Sequence, residues 1–395
     1  MMTVRSLLCG MTVLAAATAG AQTPTVSGSF ISTLGVDTIA AERYTRTGDK
    51  VEGDLLLRYP RVRVVHYVTD VAGGRFKGIS VTTRSPTADP ASPALFSMVQ
   101  LVADSTATVD VVRNGRPDTT NSGKRSFKGK GVPQFPSIPA SVGVYEQILA
   151  LNPPVGRDSM ILATIAAGAG QPGQVSLFRR ARDTVAFVNS FSPGWVEILN
   201  VDATGRIVGV DATATTVKAI TKRQSALDFD ALVKAWAAAE TARGALGQMS
   251  PADTVRATVG AANIEVAYSQ PLRRGRVIFG NVVPWNQVWR TGANAATQLT
   301  TSADLIFGTT VVPAGKYTLY SLPTPTGTKL IINSQTGQWG TEYDVKRDLA
   351  RFDMTSTTLP RPVEEFTFAI APQGNAGVLK FSWDDREYAI PFRVR

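Results

Sequence analysis

Apolar residues recur at every second position in short runs along most of this 395-residue chain, with turn-forming clusters between them. From about residue 23 to 222 the runs include DTIAAERYTR, VEGDLLLRY, RVRVVHYVTD, RFKGISVTTR, TATVDVVR, DTVAFVNS and WVEILNVD. The breaks include TGDK, AGG, NGRPD and ATGR. A period of two predicts strands, and the short breaks predict antiparallel neighbours with one wet face. A barrel or a sandwich satisfies that pattern. The phase predicts which side chains face inward. Val62, Val64, His66 and Val68 share one face, which makes His66 a core residue. Val196, Ile198 and Val201 stand against Glu197 and Asn200. SVGVYEQILAL, 141–151, predicts a short helix after Pro139.

Residues 223–250 break the rhythm. SALDFDALVKAWAAAETARGALG is alanine-rich, with Leu232, Ala235, Trp236 and Ala239 at helical spacing. Asp228 or Asp230 caps its start and Gly244 or Gly247 its end. A helix used as a spacer or bridge is expected here, with Trp236 as its anchor.

Alternation returns from 251 to 395. Ile264, Val266 and Tyr268 share a face in NIEVAYS, as do Phe366, Phe368 and Ile370 in EFTFAI. Leu379, Phe381 and Trp383 follow in LKFSW. After DDRE come Tyr388, Ile390 and Phe392 in YAIPF. VVPAGKYTLYSLP suggests a hairpin, and KLIINS a fully buried strand. The fold class is therefore mainly β, with two antiparallel β domains joined by an α-helix. The N-terminal one is barrel- or sandwich-like, and the C-terminal one is a β-sandwich.

The order of PLRRGRVIFGNVVPWNQVWRTGANAAT, VVPAGKYTLYSLP, KLIINSQTGQWG, LKFSW and YAIPF resembles the domain-of-unknown-function 2911 family of bacterial exported proteins. The resemblance covers about residues 254–394 and implies a compact β domain in an envelope or extracellular setting, with no activity to carry over. In that family a glutamate usually follows the asparagine of WRTGAN. Here Ala295 stands there, so any chemistry resting on that carboxylate would be missing.

The first residues change the picture of where the protein works. MMTVRSLLCGMTVLAAATAGAQ has a cation at Arg5, a short apolar run and the small-residue sequence Ala19-Gly20-Ala21. This is the pattern of a secretory signal peptide over residues 1–21, so a periplasmic or secreted protein is expected, with no transmembrane segment. Cys9, the only cysteine, lies inside that segment. The remaining chain then has neither disulfide nor thiol chemistry. With a single histidine, His66, a multi-histidine metal site is excluded, and no metal or other cofactor is expected.

Net charge is +10, and residues 23–222 hold 22 Lys and Arg against 16 Asp and Glu. An excess of this size suits solubility or adhesion to anionic envelope polymers. Export argues against nucleic acid as a partner. A cationic loop, NSGKRSFKGKGVPQFPSIP, sets Lys124, Arg125, Lys128 and Lys130 around Phe127.

The densest candidate chemistry is VWRTGANAAT. Arg290 offers a planar fork for carboxylate, phosphate or sulfate. Trp285 and Trp289 offer flat faces for a sugar ring. Thr291 and Asn294 add a hydroxyl and an amide, and Gly292 frees the backbone. Lys316, Asn333 and Trp339 come from neighbouring segments and complete the candidate ligand-binding set. A second reading stays open, in which Arg290 is a buried bracket on backbone carbonyls and Asn294 closes a turn. No nucleophile elbow, phosphate loop or dinucleotide fingerprint is present. The expected function is non-catalytic binding of a small polar, anionic or saccharide ligand, or association with the envelope. The alternatives are a hydrolase of envelope polymers with paired carboxylates, for which Asp384 and Asp385 are candidates, or a partner-docking protein.

Overall fold

The computed structural model describes residues 25–395, except 90, 128–132, 139, 154–158, 169–171 and 190–194. The expected signal peptide with Cys9, and Lys128 and Lys130 of the cationic loop, lie outside the described residues.

Among the described residues, sixteen strands between Thr25 and Gln224 form one sheet, antiparallel except where Phe135–Ser137 runs parallel to Met160–Ala166. Most paired strands are sequence neighbours, as the short turns require; Gly123–Ser126 instead returns to Thr106–Arg113. The first strand, Thr25–Leu34, also pairs with the last, Ile220–Gln224, with Phe30 opposite Arg223. The sheet rolls around helix α1 (Val142–Leu151), which Ser141 caps by accepting from Val144 N at 3.2 Å.

α1 brings Glu146 and Gln147 into the interior along with Val144 and Ile148. The interior is accordingly polar as well as apolar. Glu42 sits at the α1 N-terminus and accepts from Val142 N (2.7 Å), Ser141 Oγ (2.8 Å) and the Tyr67 hydroxyl (2.6 Å). A carboxylate there meets unpaired backbone N–H groups and the positive end of the helix dipole. Glu146 accepts from Ile207 N at 2.8 Å and meets Tyr44 and Arg223.

This polar interior corrects two expectations of phase. In Arg63–Ala72 the inward face is Val65, Tyr67, Thr69 and Val71, so His66 points outward, where it bonds Asp54 Oδ1 at 2.9 Å. In Val196–Val201 the inward face is Glu197, Leu199 and Val201, with Glu197 accepting from the Tyr145 hydroxyl at 2.7 Å. Both faces of these strands carry valines, so alternation alone favoured the wrong one.

The second helix, α2 (Phe229–Arg243), is capped by Asp228, which accepts from Ala231 N at 2.9 Å. It ends at Gly244 in the left-handed region. It lies on the outer face of the rolled sheet and does not bridge open space. Phe229 and Trp236 pack on Ala41, Leu56 and Val62, and Arg43 stacks 4.5 Å over the Phe229 ring. α2 is what covers the outer valines Val62 and Val64.

Nine strands between Ala252 and Val394 form the second sheet, and the edge strand Ala252–Val259 folds back against Asp348–Gln373 to give a sandwich-like layer. Its core holds the expected faces: Ile264, Val266 and Tyr268; Phe366 and Phe368; Leu379, Phe381 and Trp383; Tyr388, Ile390 and Phe392. Leu330, Ile331 and Ile332 are fully buried, as KLIINS suggested. Two turns are absent. DDRE is an irregularity inside one strand, Ala376–Val394, with Asp384 in the left-handed region. Such an insertion switches the buried face from odd to even residues without a turn. VVPAGKY is likewise not a hairpin. Thr310–Val312 pairs with Leu305–Phe307, whereas Gly315–Thr324 pairs with Thr297–Thr301 and Gly327–Asn333. Pro313, which has no N–H to donate, marks the crossover.

The two sheets touch directly. Val36 N donates to Arg274 O at 3.1 Å, and the Arg274 guanidinium meets Asp37. Gly35 has φ +60, and a Cβ there would lie 2.1 Å from Arg274 O, so the contact needs glycine. Among the described residues, no helix is long and apolar enough to cross a membrane.

Candidate functional site: a cationic cleft between the two sheets

WRTGAN is locked to the edge of Gly315–Thr324. Trp289 N donates to Ser321 O at 2.8 Å, and Ser321 N donates back to Trp289 O at 2.9 Å. This sets the Trp289 indole stacked on Trp383, centroids 5.9 Å apart, and edge-on to Phe366. Thr291 is fully buried in the left-handed region. Its hydroxyl bonds Ser321 Oγ at 3.0 Å, and its carbonyl accepts from Thr297 Oγ1 at 2.8 Å. Gly292 has φ +153, and a Cβ there would press on Ser269 O and Thr297 Oγ1, each 3.1 Å away. Asn294 O accepts from Gly340 N at 3.0 Å. The loop therefore holds Arg290 from both sides.

The Arg290 stem crosses the backbone of Gly340, where a Cβ would fall 2.1 Å from Arg290 Cδ. Its Nε is buried and has no hydrogen-bond partner among the described residues. Burial pushes the guanidinium pKa below its usual value, and no described carboxylate offsets this. The bracket reading needs those nitrogens on carbonyls or a carboxylate, and Nε has neither.

Two further cations come from outside the motif. Lys218 projects from a left-handed turn of the N-terminal sheet; burial, then Arg290 and Arg276, push its ammonium pKa down. Arg276 bonds Arg273 O at 2.9 Å and Leu272 O, and burial followed by Arg274 lowers it as well. All three line one cleft of about 730 Å³ between the sheets, together with Trp195, Trp289 and Trp339. Clefts of this volume suit small-molecule ligands.

Of the residues singled out in the sequence, Trp289, Arg290, Gly292 and Trp339 line this cleft. The others fall elsewhere. Thr291 is architecture. Asn333 is fully buried, its amide on Asp344 O (2.9 Å) and Asp348 Oδ1 (2.8 Å). Trp285 stacks on Phe279 at 6.0 Å. Lys316 is exposed on its strand, and Asn294 turns its amide to Ser250 O at 3.4 Å. Lys218, Arg276 and Trp195 were not singled out. Arg276 belongs to the conspicuous RRGR run, but nothing local marks Lys218, whose role depends on how the sheets dock.

The cleft offers little for hydrolysis. Glu342, exposed at its mouth, is the one acid among its described lining residues. Asp384 is held by Arg273 at 2.7 Å, and Asp385 faces Arg386 at 3.6 Å. A second, shallower groove contains His66, Asp54, Glu52 and Arg43. Its Asp54 is shared between His66 and Arg43, each at 2.9 Å, and no described serine bonds the imidazole. In the cationic loop Phe127 is buried and Arg125 bonds Gly168 O at 3.0 Å, which makes that segment an anchor. No group of three metal-ligating side chains occurs among the described residues.

Comparison with known proteins now adds the family of the region that carries the motif. Residues 250–392 match the family described as protein of unknown function (DUF2911). The DUF2911 region supplies Arg290, Arg276, Trp289 and Trp339; Lys218 and Trp195 come from the sheet that precedes it. No curated protein matches the chain. Among solved structures, a DUF1089 family protein from Pseudomonas aeruginosa is 11% identical, over 44% of this chain and 89% of that one, with a TM-score of 0.31. A double mutant of the vaccine antigen Transferrin Binding Protein B from Haemophilus parasuis is 8% identical, over 95% of this chain and 76% of that one, with a TM-score of 0.14.

Proposed function

We propose that this chain is an exported, non-catalytic binding protein, periplasmic or secreted, whose cleft between the sheets takes a small anionic ligand. The observation that carries it is Arg290: a largely buried guanidinium whose Nε is unpaired among the described residues, next to a half-buried cation, Lys218, that no described carboxylate offsets. A buried charge without a partner costs several kcal/mol. An incoming anion removes that cost and gains charge-assisted hydrogen bonds in a site already built.

Tryptophan fluorescence tests this directly, since four indoles, Trp195, Trp289, Trp339 and Trp383, line the cleft. Titration with phosphate, sulfate and carboxylate ligands is expected to show saturable binding. Arg290→Ala is expected to weaken it at least about tenfold, the equivalent of one lost charged hydrogen bond. Absence of binding by every anion at millimolar concentration overturns the reading. Export rests on the N-terminal pattern. In a bacterial host the exported form is expected to begin at Gln22, and a cytosolic product retaining Met1 would overturn it.

A further inference from the structure

Burial orders the cleft from floor to mouth. Arg290, Lys218 and Arg276 are largely or half buried, whereas Gln287, Thr341 and Glu342 are exposed, and Trp339 is 43% exposed. The charged groups on the inner side are all cations, set among the buried Leu34, Thr215, Ala293 and Trp383, and the mouth combines an indole face with neutral and acidic hydrogen-bonding groups. Three cations crowded together suit a dianion better than a monoanion, and the Arg290 fork beside the Lys218 ammonium suits tetrahedral oxygens, while Arg276, with Nε and Nη2 already on backbone carbonyls, adds its charge. A flat indole packs on the C–H face of a sugar ring. The Glu342 carboxylate accepts from hydroxyls and repels a second phosphate.

We infer that the ligand is a sugar phosphate, its phosphate monoester on Arg290, Lys218 and Arg276 and its ring against Trp339 with hydroxyls toward Glu342 and Gln287. This rests on the anion-binding reading above and narrows it. Phosphate enters first in the depth order because the cations lie below the indole. The sugar stays at the mouth, where its outer hydroxyls remain hydrated. Backbone strain gathers at the same place: Lys218 and Thr291, the latter β-branched, both have positive φ. Such outliers persist where the surroundings hold them in place, often beside ligands.

The experiment is calorimetry on the full exported chain with a set of hexose and pentose phosphates, the matching free sugars, inorganic phosphate, inorganic sulfate and phenyl phosphate. The best sugar phosphate is expected to bind at least tenfold tighter than inorganic phosphate or phenyl phosphate, and at least a hundredfold tighter than its free sugar. Trp339→Ala is expected to remove the advantage over inorganic phosphate while leaving inorganic phosphate itself bound. Because Trp339 is exposed, the variant folds. If inorganic phosphate or phenyl phosphate binds as tightly as every sugar phosphate, the sugar assignment falls and the anion site stands. If inorganic sulfate binds as tightly as the best sugar phosphate, the sugar assignment falls and the cleft is a site for any tetrahedral dianion. If nothing in the set binds, both readings fall together.

Discussion

Arg274 reaches from the second sheet to Asp37 of the first, and the contact is nearly closed to water on the arginine side, whose side chain is 4% exposed. Beside it, Arg274 O accepts from Val36 N at 3.1 Å. This joint sets the width of the cleft, because Arg276 lies two residues further along the same segment. Arg274→Ala leaves Asp37 facing an empty space. Breaking a fully buried pair costs about 3–5 kcal/mol; Asp37 keeps some access to water, so about 2 kcal/mol is expected. Unfolding of the variant should separate into two thermal transitions, one per sheet, and anion affinity should drop. A single transition at the original temperature would show that the joint does not couple the sheets.

Several strands of the second sheet were legible because each buries one face, and KLIINS because it buries both. Ile264, Val266 and Tyr268 alternate with residues that meet solvent or the edge, and the core follows from the period alone. His66 and Glu197 were misplaced for a reason that lies outside their own strands. α1 makes the inner side partly polar, and α2 makes part of the outer side apolar, so polarity stops reporting direction. In the candidate site, Arg290 and Trp289 were visible as a motif. Lys218 was not, because a lone lysine in a threonine-rich turn carries no signal until the sheets dock. Asn333 and Thr291 looked like ligand groups because a hydrogen-bonding side chain reads the same whether its partner is a ligand or a backbone carbonyl.

Gly340 is the seat of Arg290. A methyl group there would lie 2.1 Å from Arg290 Cδ and 2.7 Å from Asn294 O. The side chain can move but the carbonyl cannot move easily, so Gly340→Ala should displace the guanidinium and cost about 1–3 kcal/mol through overpacking. Anion affinity is expected to fall at least tenfold while the rest of the protein keeps its circular dichroism. Unchanged affinity would mean that Arg290 does not need this position to bind.

Lys218 makes binding sensitive to alkali. Burial and the two neighbouring arginines hold its pKa below the ordinary 10.5. In the empty protein the folded state gives up this proton before the unfolded state does. Stability should therefore rise as pH climbs from the folded value toward 10.5, where the penalty on the charged form is relieved. A bound anion favours the ammonium, so affinity is expected to fall over the same window, and binding there should take up a proton. Calorimetry in buffers of different ionisation enthalpy measures that uptake. Lys218→Gln should abolish it, and an unchanged proton count in the variant would assign it elsewhere.

The outer helix predicts a local loss. Trp236 is buried against the sheet and Arg58 stacks over it at 5.6 Å. Trp236→Ala should cost about 3–5 kcal/mol, as large-to-small changes at buried tryptophans do. Because Phe229 and Trp236 of α2 pack on the N-terminal sheet, the loss should fall on that unit, with hydrogen exchange accelerating in Asp37–Thr47 and Lys50–Leu57 and not in Gly327–Asn333. Uniform acceleration across both sheets would contradict this placement of α2.

Glu197 gives the clearest pH signature of the interior. Burial pushes its pKa up, and hydrogen bonds from Tyr145 and Trp195 only partly oppose this. With the folded value above the unfolded one, the protonated form is favoured by folding. Its contribution is fully present below about 4.5 and is lost as pH rises through the folded value. Above that value the carboxylate stays buried at a cost. Glu197→Gln keeps an oxygen for the Tyr145 hydroxyl and carries no charge. The variant should therefore be more stable than the wild type at pH 8 and equal to it at pH 4, measured by urea unfolding at both. Glu42 and Glu146 are raised in the same sense, so the wild type alone cannot isolate the effect, but the difference between the two proteins can. A variant less stable at pH 8 would show that Tyr145 and Trp195 hold the ionised carboxylate more firmly than burial disfavours it, and that the charge is part of what closes the sheet around α1.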